Sequence, residues 1–235
     1  MNIIKKSICL ILITLMAIGV CGCMNHEEKT EIKTAMLEAI NKKYNKSFKV
    51  EYFQKAKDET YSNILTLSDG EYIFNAYKDD NDTVVSDDLI QVIVNKKINN
   101  YITDNINIKS IGVKIYGNYI FSNISDYSYE EIQNIDANDI IASNQLVKAV
   151  LVVSTTGSFV DSKELFFEIY KMAVSMNPKY IDFELISIKE NDALEKMLNN
   201  LTGYYDNDWK KQDGILDYKS ILDKDISSAD DLVGR

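Results

Sequence analysis

Five consecutive apolar residues, Ala149-Val150-Leu151-Val152-Val153, constrain this chain more than any other stretch. Successive side chains of a strand point to opposite sides of a sheet, so an unbroken apolar run suits a strand covered on both faces, as in a parallel pair. A parallel partner requires a crossover, normally right-handed, and the following sequence supplies one. Leu165, Phe166, Ile169, Tyr170 and Ala173 share a helix face, with Asp161 and Glu164 as cap candidates and Asn177-Pro178 as the stop. Ile181, Phe183 and Leu185 then alternate with Asp182 and Glu184, the period of a strand. Asn191 is placed to cap a last helix carrying Leu194, Leu198 and Leu201, which Gly203 ends.

The first half has a different rhythm. Ile32, Met36, Ile40 and Tyr44 recur every four residues on one helix face, and Asn45-Lys46 ends that helix. Phe48, Val50 and Tyr52 alternate with Lys49 and Glu51, and further strands are expected over residues 61–67 and 71–77, joined by a Ser68-Asp69-Gly70 turn. Ser86 is a cap candidate for the next helix, with Asp87 and Asp88 at its positive end and Ile90, Val94, Ile98 and Tyr101 on its buried face. Gly117-Asn118, between apolar stretches at 111–116 and 119–124, reads as a second hairpin turn, and Ser128 with Glu131 has capping-box spacing.

These patterns predict an α+β protein. An N-terminal lobe of helix, three-stranded meander and helix spans residues 31–105, and a C-terminal lobe of strand-helix-strand-helix order spans 106–203. A single continuous sheet is the alternative. Residues 204–235 form an acidic tail with scattered aromatics, Tyr204, Tyr205, Trp209 and Tyr218, that wraps the second lobe or stays partly loose. No internal repeat is present.

All three cysteines, Cys9, Cys21 and Cys23, lie within the first 23 residues, so the rest must fold by burial alone, without a disulfide. Lys5 and Lys6 precede an apolar run over residues 8–20, interrupted only by Thr14. That run is about 13 residues, or roughly 20 Å of helix, against a hydrocarbon core of ~30 Å. It suits a secretory signal better than a membrane span. The closing Val20-Cys21-Gly22-Cys23 resembles a bacterial lipobox, with an aliphatic residue at −3 and a small one at −1 before the cysteine. The resemblance implies cleavage after Gly22, a diacylglyceryl group on Cys23, residues 1–22 as the signal peptide and residues 23–30 as a tether. Anchoring at Cys21, with Val20 at −1, is the alternative. Many Asn, Lys, Ile and Tyr residues beside a single proline, Pro178, make the chain similar to the small lipoproteins of low-GC Gram-positive bacteria. That resemblance places it at the outer face of the cell membrane.

Twenty-six basic residues against 36 acidic ones leave a charge of −10, and loss of Lys5 and Lys6 with the signal leaves −12. An acidic body is held off an anionic membrane face, so the lipid must do the tethering. The same balance argues against nucleic acid as a partner.

His26 is the only histidine and sits in the expected tether. With no cysteine in the folded part, His/Cys catalysis and Cys/His metal sites are excluded. No Gly-x-Gly-x-x-Gly, phosphate-loop or Ser-x-x-Lys motif occurs. No catalytic residue and no cofactor are therefore assigned. Asp79, Asp80 and Asp82, near Asp87 and Asp88, offer oxygens for calcium but lack the glycine and terminal glutamate of the helix-loop-helix motif, and solvated loop acids are commoner. Ser154, Thr155, Thr156, Gly157 and Ser158 follow the buried strand, where open sheets bind ligands and a helix start favours anions. Their commoner role is to cap backbone groups in a connection.

The expectation is a non-enzymatic, membrane-tethered module that binds a protein, peptide or cell-wall component. A narrower form is an immunity or inhibitor lipoprotein, and the rival is a carboxylate-dependent hydrolase of wall polymer.

Overall fold

The computed structural model describes residues 26–55, 63–79, 85–106, 113–189 and 214–234. The first helix, α1 (His26–Tyr44), buries Met36 and Ile40 and half-buries Ile32 and Tyr44, so the four-residue stripe becomes its packed face. It already includes residues 26–30 of the expected tether. It ends where Asn45 turns left-handed at φ +47°, a conformation asparagine tolerates better than most residues.

Strands β1 (Lys49–Lys55), β2 (Asn63–Ser68), β3 (Ile73–Lys78) and the two-residue β4 (Ser86–Asp87) form an antiparallel meander in sequence order. The alternation expected from Phe48, Val50 and Tyr52 breaks at a bulge between Val50 and Tyr52. The extra residue flips the pattern, leaving Phe53 buried and Tyr52 exposed. The turn after β2 falls where expected: Gly70 has φ +95°, and Asp69 Oδ1 accepts the N–H groups of Glu71 and Tyr72 at 3.0 and 2.8 Å.

Helix α2 (Leu89–Ile106) follows. Ser86 does not cap it, because Ser86 is taken up in β4. Asp88 starts it instead: its carbonyl accepts the Val92 N–H at 2.9 Å, and Asp87 Oδ1 accepts that of Leu89 at 3.1 Å. Leu89, Ile93, Val94, Ile98 and Ile102 are all fully buried, a wider stripe than the expected Ile90, Val94, Ile98 and Tyr101. A helix buries that much of its circumference only when it is packed on more than one side. Here it touches β3 and β5, and one continuous apolar core runs from α1 and the meander through α2 into the second sheet.

The second sheet has the order β5-β6-β7-β8, from β5 (Val113–Phe121), β6 (Leu146–Thr155), β7 (Tyr180–Ile188) and β8 (Ile215–Ile221). β6 and β7 are parallel and the outer pairs antiparallel. The apolar run lies in β6 and is covered on both sides: Ala149, Leu151 and Val153 join the main core, and Val152 joins a second cluster with Tyr116, Ile186 and Ile188. The crossover helix α5 (Phe159–Ser175) buries Phe166, Ile169, Tyr170 and Ala173. Its cap is Ser158, whose hydroxyl accepts the Asp161 N–H, rather than Asp161 or Glu164.

Gly117-Asn118 is not a turn. β5 runs unbroken through it, pairing with β6 from Val113 to Phe121. The glycine serves the ring of Tyr119, which folds back over it; a Cβ on Gly117 would stand 2.3 Å from that ring. Asn118 and its neighbours meet α2, which lies along the free edge of β5. Asn95 Oδ1 accepts the Tyr119 N–H at 2.9 Å, Gln91 Nε2 donates to the Tyr119 carbonyl at 2.9 Å, and Asn95 Nδ2 donates to Asn118 Oδ1 at 3.2 Å. Asn99 completes the i, i+4, i+8 row by accepting the Tyr119 hydroxyl at 2.9 Å. The helix thus covers the outer edge of β5 at Tyr119.

Between β5 and β6, a 3₁₀ turn (Ile124–Asp126) leads into α3 (Tyr129–Asn134) and α4 (Ala137–Ser143). The Ser128–Glu131 capping box at α3 forms with both of its hydrogen bonds. In the described residues of the acidic tail, β8 extends the sheet and the short α6 (Ala229–Gly234) packs on α5. The Tyr170 hydroxyl fastens the segment between them, donating to the Asp223 carbonyl and accepting the Ile226 N–H. The helix expected after Asn191, with Tyr204, Tyr205 and Trp209, lies outside the described residues.

Candidate binding cleft at the end of the first helix

Where α1 stops, its last turn meets the loop before α3, and a cleft of about 490 Å³ opens between them. Lys43, Tyr44 and Lys46 form one wall, and Tyr127, Ser128 and Tyr129 form the other, with Ile90 of α2 between. That volume lies in the usual range for small-molecule sites.

Two buried carboxylates fix the lysines. Lys43 Nζ lies 2.7 Å from Asp87 Oδ2, and the Asp87 side chain is 1% exposed. Asp87 Oδ1 also accepts the Tyr44 hydroxyl at 2.6 Å. Lys46 Nζ lies 2.7 Å from Asp69 Oδ2 and donates to the Tyr129 hydroxyl at 2.7 Å, which in turn donates to Asp69 Oδ2 at 3.1 Å. Burial alone would push the Asp69 carboxyl up. The bonds from Lys46, from the Tyr72 and Glu71 N–H groups and from Tyr129 outweigh it and bring the carboxyl down to about 2. Desolvation likewise pulls on Lys46, but Asp69 and Tyr129 raise it above its ordinary value. Burial, then the bond to Asp87, raises the Tyr44 phenol. At neutral pH Lys46 and Asp69 therefore face each other as ammonium and carboxylate, and Tyr44 keeps its phenolic proton.

The lysines also lie against aromatic faces, Lys43 4.9 Å from the Tyr44 ring centroid and Lys46 4.9 Å from that of Tyr129. An ammonium has three donors. Asp87 takes one from Lys43, and Asp69 with Tyr129 take two from Lys46. The rest remain for the cleft, where the Lys43 and Lys46 side chains are 51% and 36% exposed. Such a wall offers ammonium donors to an acceptor group and phenol edges to less polar parts, with the Glu130 carboxylate also among the lining residues.

The sequence-derived candidates fall elsewhere. Cys23, the lipidation candidate, lies outside the described residues, as do Asp80 and Asp82; Asp79 is half-buried just after β3. Ser154 and Thr155 are buried at the end of β6, and only Thr156, Gly157 and Ser158 reach the surface. The hydroxyls of that stretch serve the backbone: Thr155 Oγ1 accepts the Gly157 N–H and Ser158 caps α5, while Ser187 donates to the Gly157 carbonyl. Ser158 also stands at the rim of a hollow of about 590 Å³ beside β8.

The cleft itself draws on α1, α2 and the α3 entry, far apart in sequence, and no spacing rule links them. The closest local signal was the aspartates at the head of α2: Asp87 holds Tyr44 and Lys43, and Asp88 accepts the Asn75 N–H and the Tyr77 hydroxyl. Comparison with protein-family models, curated proteins and solved structures finds no match.

Proposed function

We propose that this chain is a lipid-anchored binding module at the outer face of the cell membrane, tethered through a diacylglyceryl group on Cys23 and holding a segment of anionic cell-wall polymer in the cleft beside Tyr44 and Tyr129. The observation that carries the ligand class is the pair of ammonium groups, each fixed by a buried carboxylate and each facing the cleft. The resemblance of residues 20–23 to a lipobox supports the anchor. Helix α1 begins three residues after Cys23 and spans 19 residues, so the cleft at its far end stands about 28 Å from its start. That distance lifts the site toward the wall.

The test is co-sedimentation of the full chain, in nonionic detergent, with purified cell walls before and after removal of their phosphate polymers. Lys43→Gln with Lys46→Gln should weaken wall binding at least tenfold, and unchanged binding sinks the reading. Cys23→Ala should move the protein from the membrane to the medium; retention in the membrane rules out the anchor.

One observation favours the hydrolase reading as second. Asp182 and Glu184 are two apart on β7 and share its face, and Glu184, 1% exposed, accepts the Tyr218 hydroxyl at 3.3 Å. That reading requires release of wall fragments that Glu184→Gln abolishes while wall binding persists.

A further inference from the structure

The cleft beside Tyr44 and Tyr129 is not simply positive. Each of its lysines is matched by its own carboxylate, Asp87 for Lys43 and Asp69 for Lys46, at 1 and 2% side-chain exposure. The two ion pairs balance in charge, and Glu130 is left over. It is exposed, and it is the one acid among the described residues that line the cleft. No described cation stands within ion-pairing distance of it. The start of α3 is already held by the Ser128–Glu131 box, which makes no use of the Glu130 side chain.

Charge is thus divided between the two walls. On the α1 side, Lys43 and Lys46 keep ammonium protons beyond those that their carboxylates and Tyr129 take. On the α3 side, the Tyr127 hydroxyl accepts Asn144 Nδ2 at 3.0 Å and keeps its own proton to donate, while the Glu130 carboxylate only accepts. A purely anionic ligand meets the lysines but lies beside a like charge at Glu130. A ligand with a cationic group at its other end meets a complementary charge on both walls.

We infer that the cleft selects a zwitterionic unit: a phosphodiester held by Lys43 and Lys46, with an ammonium group held by Glu130. This rests on the proposal that the cleft holds anionic wall polymer, and narrows it to a polymer that carries amines. Amine-bearing lipid headgroups share the same chemistry.

The test is calorimetric titration of the full chain, in nonionic detergent, with three soluble diesters: glycerophosphoethanolamine, its N-acetyl derivative and glycerophosphoglycerol. The first should bind about tenfold more tightly than either other, since it alone brings a cation to Glu130. Glu130→Gln should erase that preference by weakening the first alone, and Glu130→Lys should reverse it, both melting within about 2 °C of wild type. Competition then assigns the source. Walls that displace glycerophosphoethanolamine until their amines are acetylated make the ligand a wall polymer; displacement only by mixed micelles containing phosphatidylethanolamine makes it a lipid headgroup, and the zwitterion preference stands in either case. Equal binding of the three diesters, or a Glu130→Gln chain that keeps the preference, overturns the inference and leaves the wall-polymer reading standing. Binding of none of them, or binding undiminished by Lys43→Gln with Lys46→Gln, overturns both.

Discussion

Replacing Asn95 with Ala tests whether α2 closes the β5 edge. Asn95 is 6% exposed and holds three partners: the Tyr119 N–H and Gln91 Nε2 on its oxygen, and Asn118 Oδ1 on its nitrogen. Gln91 keeps the Tyr119 carbonyl after the change, so its loss is small. The Tyr119 N–H and Asn118 Oδ1 are left without those partners at residues that are 0 and 5% exposed. An orphaned buried polar group costs about 1–3 kcal/mol, so two cost about 3 kcal/mol when a water enters the space left by the amide. At about 2–4 °C per kcal/mol for a chain of this size, the melting temperature should fall by about 6–12 °C. Asn95→Asp is the control. Its carboxylate still accepts from Tyr119 and Gln91, and an Asn118 amide turned over can donate to it, so its loss should be under half that of Ala. Thermal melting gives the energy and hydrogen exchange at the Tyr119 amide gives the place. An Ala variant that melts within about 2 °C of wild type, or a Tyr119 amide whose exchange is unmoved, refutes the edge-closing role.

Gly117→Ala puts a methyl group 2.3 Å from the Tyr119 ring and should cost about 3 kcal/mol or more by overpacking; combining it with Tyr119→Ala should cost clearly less than the sum of the two, as measured by urea unfolding. The Asp69 carboxyl titrates at about 2 when folded, below its ordinary 3.8, so the fold favours its ionised form. That contribution is complete above the ordinary value and is lost as pH falls through about 2. The gap corresponds to about 1–2 kcal/mol once solvent screening at the cleft is allowed for. Asp69→Asn should therefore be less stable than wild type by that amount at neutral pH, with the two denaturation curves converging toward pH 2. A difference that persists to pH 2 assigns the loss to packing instead.

Features set by neighbours in sequence were legible before any coordinates. The Ser128–Glu131 box, the Ser68-Asp69-Gly70 turn and the doubly covered strand at residues 149–153 each depend on a few adjacent side chains, and each formed as read. Errors arose where a distant element supplied the reason for a residue. Gly117 looks like a turn because glycine is common in turns, yet it is there to make room for Tyr119. Gln91, Asn95 and Asn99 repeat every four residues on α2, and that polar row could have flagged a buried strand edge. The bulge at Val50/Tyr52 breaks a period of two that the sequence continues to display. β8 was hidden because an exposed edge strand needs no strong alternation: of its seven residues only Ile221 is buried. The cleft was illegible for a different reason. Its chemistry comes from lysines and tyrosines that are ordinary surface residues until α1, α2 and the α3 entry bring them together.

The cover that α2 lays on the β5 edge limits the valence of the second sheet. A sheet open at both ends can grow as a linear polymer grows, adding units on either side without limit. With Gln91 and Asn95 occupying the outward groups of Tyr119, a strand arriving at the β5 edge finds the backbone at that residue already engaged. A ladder that reached this edge would stop there, so growth cannot pass through the sheet and make it the repeat of a fibre.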